Sequence, residues 1–315
     1  VHILSPYQAK TSSDWYKGTA NAIYQNIEYM ESYNPDYVLI LSGDHIYKMN
    51  YSKMLNFHIA NNADCTIAAI DVPKDEASRF GILNTKKNGV IYEFEEKPKN
   101  PKSTLASMGI YIFSSKKLYK YLEEDNENKD STNDFGKDIL PAMLKNGEKM
   151  MAYEFVGYWK DVGTIDSLFE ANMDLLGDSP KFDVSDSTWK IQSRSPLAPP
   201  HYMGDNSKAV NSIIMSGCEI YGTVENSVLA SSVVIEEGAT VKNSILMSGV
   251  LVKKGANVEY SIIDENTVIK EDAEVGDKKE ENKGIALLGR NIKIGKKVKI
   301  SGGEIIDKNV EGGKN

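Results

Sequence analysis

Hydrophobic and polar positions divide the chain into regions with different periods. Residues 1–13 read as irregular. Ala20, Ile23, Ile27 and Met30 then recur at three- and four-residue spacing, the stripe of an amphipathic helix, which Asn34-Pro35 ends. Residues 37–41 form an almost unbroken apolar run closed by Ser42-Gly43. That is the pattern of a strand covered on both faces within a parallel sheet. Asn50 is placed to cap a helix with Met54, Leu55 and Ile59 inside, and residues 64–70 form another strand. Alternating helices and strands predict a parallel sheet.

Between residues 80 and 178 the pattern loosens. Residues 80–83 and 90–97 flank Lys87-Asn88-Gly89, a strong hairpin signal. By alternation Val90, Tyr92 and Phe94 share one face, and Glu93, Glu95 and Lys97 the other, until Pro98 stops the strand. Residues 106–113 predict a strand, 116–122 a helix and 123–131 a solvated acidic loop. Asp134-Phe135-Gly136 opens a helix that must accommodate Pro141, and residues 151–156 form a strand. A helix from Thr164 carries Ile165, Leu168, Phe169, Asn172 and Leu176 on one side. Residues 178–203 hold Pro180, Pro196, Pro199 and Pro200. They read as an ordered, irregular linker, because Trp189 and Ile191 are too apolar for a free tether.

Beyond the linker the sequence repeats. Val-Ile-Glu-Glu-Gly-Ala-Thr-Val at 234–241 recurs as Leu-Val-Lys-Lys-Gly-Ala-Asn-Val at 251–258 and as Val-Ile-Lys-Glu-Asp-Ala-Glu-Val at 268–275, each 17 residues on. Aliphatic residues recur about every six positions, with small residues between them, as in a left-handed parallel β-helix whose coils bury their aliphatic rows against one another. An ordinary β-sandwich gives no reason for a fixed offset.

Composition narrows the function. The chain has 315 residues, enough for two domains, with 41% hydrophobic and 26% charged residues. A formal net charge of −8 argues against a nucleic-acid backbone as partner. Cys65 and Cys218 are the only cysteines, which suits a reducing cytoplasm and excludes a disulfide framework. No apolar run approaches the roughly 18 residues that span a membrane. Asp44 follows an apolar strand, where open α/β sheets bind ligands. It can hold a divalent cation against a nucleotide phosphate; taken alone, it is equally a turn aspartate capping the next element.

Five motifs, in this order, resemble the sugar-nucleotide pyrophosphorylases, and among them the bacterial glucose-1-phosphate adenylyltransferase family. They are Trp15-Tyr16-Lys17-Gly18-Thr19-Ala20, Ser42-Gly43-Asp44-His45-Ile46-Tyr47, Phe94-Glu95-Glu96-Lys97-Pro98, Ala106-Ser107-Met108-Gly109-Ile110-Tyr111 and Trp159-Lys160-Asp161-Val162-Gly163-Thr164. The resemblance runs through nearly the whole chain. It implies an α/β fold: a Rossmann-like nucleotidyltransferase domain over 1–178, N-terminally incomplete, a linker over 179–204, and a left-handed parallel β-helix over 205–315.

The resemblance also implies roles. Tyr16, Gly81, Glu96, Lys97 and Ser107 match positions that hold glucose 1-phosphate. Gly18 and Thr19 match the segment lining the nucleotide base. Asp44 and Asp161 match the carboxylates that bind Mg²⁺ beside the transferring phosphoryl group, so Asp44, Lys97 and Asp161 are the expected catalytic set. The implied substrates are ATP and glucose 1-phosphate, and the implied assembly is a homotetramer or a hetero-oligomer with a related subunit. The family's opening glycine-rich G-G-x-G-x-R-L loop and the basic segment after it are expected upstream of Val1, and residues 1–315 alone are expected to turn over poorly. A non-catalytic regulatory subunit, or another sugar-1-phosphate nucleotidyltransferase, is the alternative. An acyltransferase built on the β-helix ranks lower, since no histidine follows His201.

Overall fold

The computed structural model describes residues 1–6, 15–193 and 196–312. The expected irregular stretch at 7–13 and the final three residues of the β-helix lie outside the described residues. Packing divides the chain into two units, one of residues 1–43 and 47–157, the other of residues 44–46 and 158–315.

The first half of the chain runs α1 (Thr19–Tyr24), α2 (Ile27–Glu31), β1 (Tyr37–Ile40), β2 (His45–Tyr47), α3 (Tyr51–Ala60), β3 (Cys65–Asp71), β4 (Gly81–Thr85), β5 (Ile91–Glu96), β6 (Leu105–Ser114), α4 (Ser115–Glu127), α5 (Leu140–Lys145) and β7 (Met150–Glu154). The sheet of the first unit has the order β5-β4-β6-β3-β7, with β1 also on β6. It is mixed rather than parallel. Only β3 and β7 run parallel, while β6 is antiparallel to β1, β3 and β4.

This corrects the reading of β1. Its partner is antiparallel, and its residues alternate between exposed and half-buried. Val38 and Ile40 pack on the core, whereas Tyr37, Leu39 and Leu41 are exposed. An apolar run looks the same in sequence whether one face or both are covered.

Other departures are local. The first predicted helix is broken at Gln25-Asn26, where the Asn26 amide donates to the Ala22 carbonyl and competes with the helix. Asn50 caps α3 by accepting from Ser52 N, but the buried face of that helix is Met54 and His58; Ile59 is exposed. α4 continues through Glu127, so the first part of the expected acidic loop is helical. Asp134 caps a single wide π-helical turn, Phe135–Ile139, ahead of α5. Pro141 then falls in the first turn of α5, where its missing N–H costs no hydrogen bond. In the hairpin, Asn84 pairs with Glu93 but Thr85 with Ile91, so Tyr92 is bulged out and exposed. Ile91 and Phe94 both reach the core, and the simple alternation through residues 90–97 fails at the bulge.

The second unit holds β8 (Trp159–Asp161), α6 (Ile165–Met173) and the repeats. From Tyr202 to Ile306 the chain winds as three parallel sheets of six short strands each. Three interior rows are fully enclosed: Ile220, Ile235, Val252, Ile269 and Ile294; Val224, Val241, Val258 and Val275; Leu229, Leu246, Ile263 and Leu288. The register shows the coil length directly. Ile220 pairs with Ile235, Ile235 with Val252 and Val252 with Ile269. Ile269 pairs with Ile294 because the chain loops out after Val275 before re-entering at Ala286. One corner is a column of left-handed asparagines, Asn211, Asn226 and Asn243, whose amides bond from coil to coil at 2.8 and 2.7 Å.

α6 opens with a reciprocal cap between Thr164 and Ser167, and its Phe169 packs with Ile245, Ile262 and Ile285 of the coils. Leu176 lies beyond its end. The second unit thus includes α6 as well as the coils. In the linker, Phe182 is buried and stacks on Tyr158 at 5.0 Å, whereas Trp189 and Ile191 are exposed. The apolar residue that packs is therefore not either of those the sequence suggested.

Candidate active site

In the first unit the candidate residues gather around the end of β5. Glu96 is the last residue of the strand. A Cβ at Gly136 would lie 2.5 Å from Glu96 Oε2, and one at Gly81 would lie 3.0 Å from that oxygen and 2.5 Å from the Phe94 ring. The two glycines make the slot in which this carboxylate sits. Burial raises the pKa of Glu96, and the charge of Asp134 adds to the rise; Lys97 and Lys137 oppose it.

Lys97 then leaves the strand with φ +47°. A residue before proline is normally driven to extended backbone, and a left-handed lysine is uncommon. Its N–H donates to the Phe80 carbonyl at 3.1 Å. Its ammonium group is mostly exposed, 3.9 Å from Glu96 Oε1. Because the chain turns here, strand alternation does not set which way Lys97 faces.

Ser107 is buried in β6. Its hydroxyl accepts from Gly109 N at 3.3 Å. Burial raises the pKa of Tyr111; the Ser107 hydroxyl opposes the rise, and Cys65, Glu96 and Asp134 add to it.

Gly18 and Thr19 pack on the segment before α5. A Cβ at Gly18 would meet the Asn133 carbonyl at 2.3 Å. The Thr19 hydroxyl donates to Asp134 Oδ2 and accepts from Phe135 N, both at 3.2 Å. The Tyr16 hydroxyl donates to the Leu4 carbonyl at 3.2 Å and accepts from the Asn26 amide at 3.1 Å. Among the described residues no hydrogen bond joins Tyr16 to Glu96, Lys97 or Ser107.

Three residues of this cluster were missed by sequence reasoning: Tyr111, Asp134 and Gly136. Asp134-Phe135-Gly136 carried a helix-start signal that explained it fully. Nothing in the sequence placed that turn against Glu96, some 40 positions earlier.

Asp44 and Asp161 belong to the second unit. Asp161 ends β8, which pairs with β2, and Val162 N donates to the Asp44 carbonyl at 3.2 Å. Asp161 Oδ1 accepts from Gly163 N at 2.8 Å. A Cβ at Gly163 would stand 3.0 Å from Asp161 Oδ1 and 3.9 Å from Asp44 Oδ2. Both carboxylates therefore border one small space that a side chain at 163 would fill. Asp44 Oδ1 also lies 3.6 Å from His45 Nε2, and the His45 ring meets Trp159 edge-on at 5.3 Å.

That space fits a hard divalent cation. Two carboxylates supply the anionic oxygens, and the described residues hold no group of three or more His, Cys, Asp or Glu suited to a metal. A small octahedral cation commonly takes one or two carboxylates and completes its shell with waters and substrate phosphates.

The profile of the nucleotidyl transferase family matches residues 2–178, and the chain belongs to that family. Nucleotidyl transferases of this kind generally work with a divalent metal. Residues 200–287 match the GlmU-like C-terminal hexapeptide family, in keeping with a left-handed parallel β-helix.

Among particular proteins, the chain is 61% identical over 235 residues to a glucose-1-phosphate adenylyltransferase of Clostridium beijerinckii, which is 75% of this chain and 61% of that protein. It is 57% identical over 239 residues to the enzyme of the same name from Acetivibrio thermocellus, 76% of this chain and 56% of that one. With that from Bacillus thuringiensis it shares 56% over 239 residues, 76% of this chain and 64% of that one. The chain thus spans about three-fifths of the length of the curated relatives it matches. Among the described residues, no helix is long and apolar enough to cross a membrane.

Proposed function

We propose that the protein transfers the adenylyl group of ATP to α-D-glucose 1-phosphate, giving ADP-glucose and pyrophosphate for α-glucan synthesis of the glycogen type. The observation that carries this reading is the pair Asp44 and Asp161 bordering the space over Gly163. The choice of adenylyl and glucosyl partners is supported by identities of 56–61% to the relatives named above.

In this reading an oxygen of the sugar phosphate forms the new bond to the α-phosphorus of ATP. The bond from that phosphorus to the bridging oxygen breaks, and pyrophosphate leaves with the electron pair. The nucleophile is already an anion, so no general base is required, and the protein works by positioning and by neutralising charge. Lys97 holds the sugar phosphate, Glu96 accepts from sugar hydroxyls, and Tyr16, Gly81 and Ser107 shape the rest of that site. Gly18 and Thr19 line the base. Asp44 and Asp161 hold Mg²⁺, which when bound offsets the charge developing on the phosphoryl oxygens. The proposal extends to domains over 1–178 and 205–315 joined by a linker, to assembly as a homotetramer or with a related subunit, and to a cytoplasmic location. Two buried, unpaired cysteines support that location.

The test is pyrophosphate release by the chain carried in a polypeptide as long as its relatives, with several nucleotides and sugar 1-phosphates crossed. ATP with glucose 1-phosphate is expected to be the fastest pair. Faster turnover with a different nucleotide or sugar would overturn the specificity. Binding of both substrates without turnover would mark a regulatory subunit instead.

A further inference from the structure

The asparagine column at one corner of the coils ends at a tyrosine. Asn211, Asn226 and Asn243 occupy that corner with φ of 43–47°, and the next coil places Tyr260 there with φ +43°. Asparagine tolerates this conformation, whereas a bulky aromatic residue in it is an outlier. The amide ladder sidesteps the tyrosine: the Asn243 amide donates to Glu259 Oε1 at 2.7 Å. A coil corner has thus given up its preferred residue for a ring.

The ring packs against α6. Tyr260 meets Phe169 edge-on with centroids 4.9 Å apart, and Phe169 is buried with Ile245, Ile262 and Ile285. From the loop between coils, Lys279 places its ammonium 5.8 Å from the Tyr260 centroid. α6 in turn holds the segment that carries Asp161 from both sides. Upstream, Lys160 pairs with Glu170 at 2.8 Å and Asp174 at 3.3 Å, and Tyr158 donates to Asp174 at 3.0 Å. Downstream, Thr164 is fixed by its reciprocal cap with Ser167. Asp161 and Gly163 lie between these anchors.

We propose that Tyr260 and Phe169 are positioning residues: through α6 they set the Asp161 carboxylate beside Asp44, so the coil stack is part of the metal-holding apparatus. This rests on reading Asp44 and Asp161 as the pair that holds the cation. Supporting partners of metal ligands affect affinity by orienting the ligand, without touching the metal.

The strained corner offers a clean test. Tyr260→Asn restores the residue type of the column and suits its backbone, so the coils should melt at the same temperature or higher. Mn²⁺ alone, titrated into the metal-free protein and followed through the spin-resonance signal of the free ion, reads the site without turnover. Asp161→Asn should abolish binding, Tyr260→Asn should weaken it about ten-fold, and Tyr260→Phe, which keeps the ring, should bind like the unaltered protein. In turnover, Tyr260→Asn should raise the metal concentration needed for half-activity and leave KM for glucose 1-phosphate unchanged. Unaltered Mn²⁺ affinity in Tyr260→Asn would overturn the proposal. So would weaker binding that simply follows a lower melting temperature. If Asp161→Asn binds Mn²⁺ as well as the unaltered protein, the metal reading itself fails and takes this inference with it.

Discussion

The mixed sheet and the coil stack treat left-handed backbone differently. In the coils it is routine. Asparagines recur at one corner, and Gly238, Gly255 and Asp272 fall 17 residues apart at another, so each coil reuses the same turn. In the mixed sheet, Asn34, Asn62 and Asn133 take up the left-handed turns in the ordinary way, and Lys97 stands apart as a charged residue forced into that conformation before proline. The coils show what the chain does when only stacking matters. Lys97 takes that conformation next to Glu96, whose carboxylate sits in a slot made by two glycines. At the asparagine corner the coils depart from that residue at Tyr260, which lies on a line of contacts to candidate chemistry.

The largest effect that would break this comparison is a charge in a coil row. Ile235 is fully enclosed between Ile220 and Val252. Ile235→Asp buries an uncompensated carboxylate and is expected to cost on the order of 3–5 kcal/mol. Thermal melting by circular dichroism should show the coil transition lost or sharply lowered. An unchanged transition would mean that the row does not face the interior.

Lys97→Gln comes next. A lysine–phosphate contact contributes roughly 1.5–3 kcal/mol, so KM for glucose 1-phosphate should rise about ten- to a hundred-fold. KM for ATP should hardly move, and arginine should substitute poorly for the compact ammonium group. Steady-state kinetics with each substrate varied in turn decides it, and an effect confined to ATP would remove Lys97 from the sugar-phosphate site.

Lys97→Gly sharpens the comparison further. It removes the charge but relieves a left-handed conformation that costs a side-chain-bearing residue roughly 1 kcal/mol. The first unit should become slightly more stable to urea while glucose 1-phosphate use collapses. A loss of stability would show that Lys97 is held there by structural contacts rather than for chemistry.

The smallest expected effect is one of pH. His58 is enclosed, with Nδ1 2.8 Å from the Thr66 hydroxyl and Nε2 3.4 Å from that of Ser114, and its ring meets Tyr37 edge-on. Burial lowers its pKa, and Asp64 opposes the shift. The unfolded chain therefore takes up the proton first. The stability this residue confers is complete above about pH 6.5 and falls as the pH drops below it. Urea midpoints at pH 7 and pH 5 should differ less in His58→Gln than in the unaltered protein. An equal pH dependence in both would assign it elsewhere.

Much of this molecule was legible in its sequence. The 17-residue offset announced the coils because stacking forces the same residue type into the same register, as Ile235, Val252 and Ile269 show. Asn50 and Thr164 marked helix starts because capping is local chemistry. What was not legible depends on partners distant in sequence. The antiparallel pairing of β1 with β6 and the open face of Leu39 lie beyond the reach of a hydrophobic run. So does the packing of Gly136 against Glu96. The bulge at Tyr92 reversed an alternation that looked secure. Asp44 and Asp161 were identifiable as residues, but their meeting over Gly163 is a product of the pairing between β2 and β8.

The most direct measurement concerns those two aspartates. Pyrophosphate release from ATP and glucose 1-phosphate should be followed at increasing Mg²⁺ in Asp44→Asn and Asp161→Asn, each carried in a polypeptide as long as its relatives. In each, kcat should fall by about a hundred-fold or more, since each removes a charge acting where negative charge develops, and saturating Mg²⁺ should not restore it. Near-normal kcat in either variant at saturating Mg²⁺ would remove that carboxylate from the metal site, and near-normal kcat in both would mean that the pair does not hold the cation.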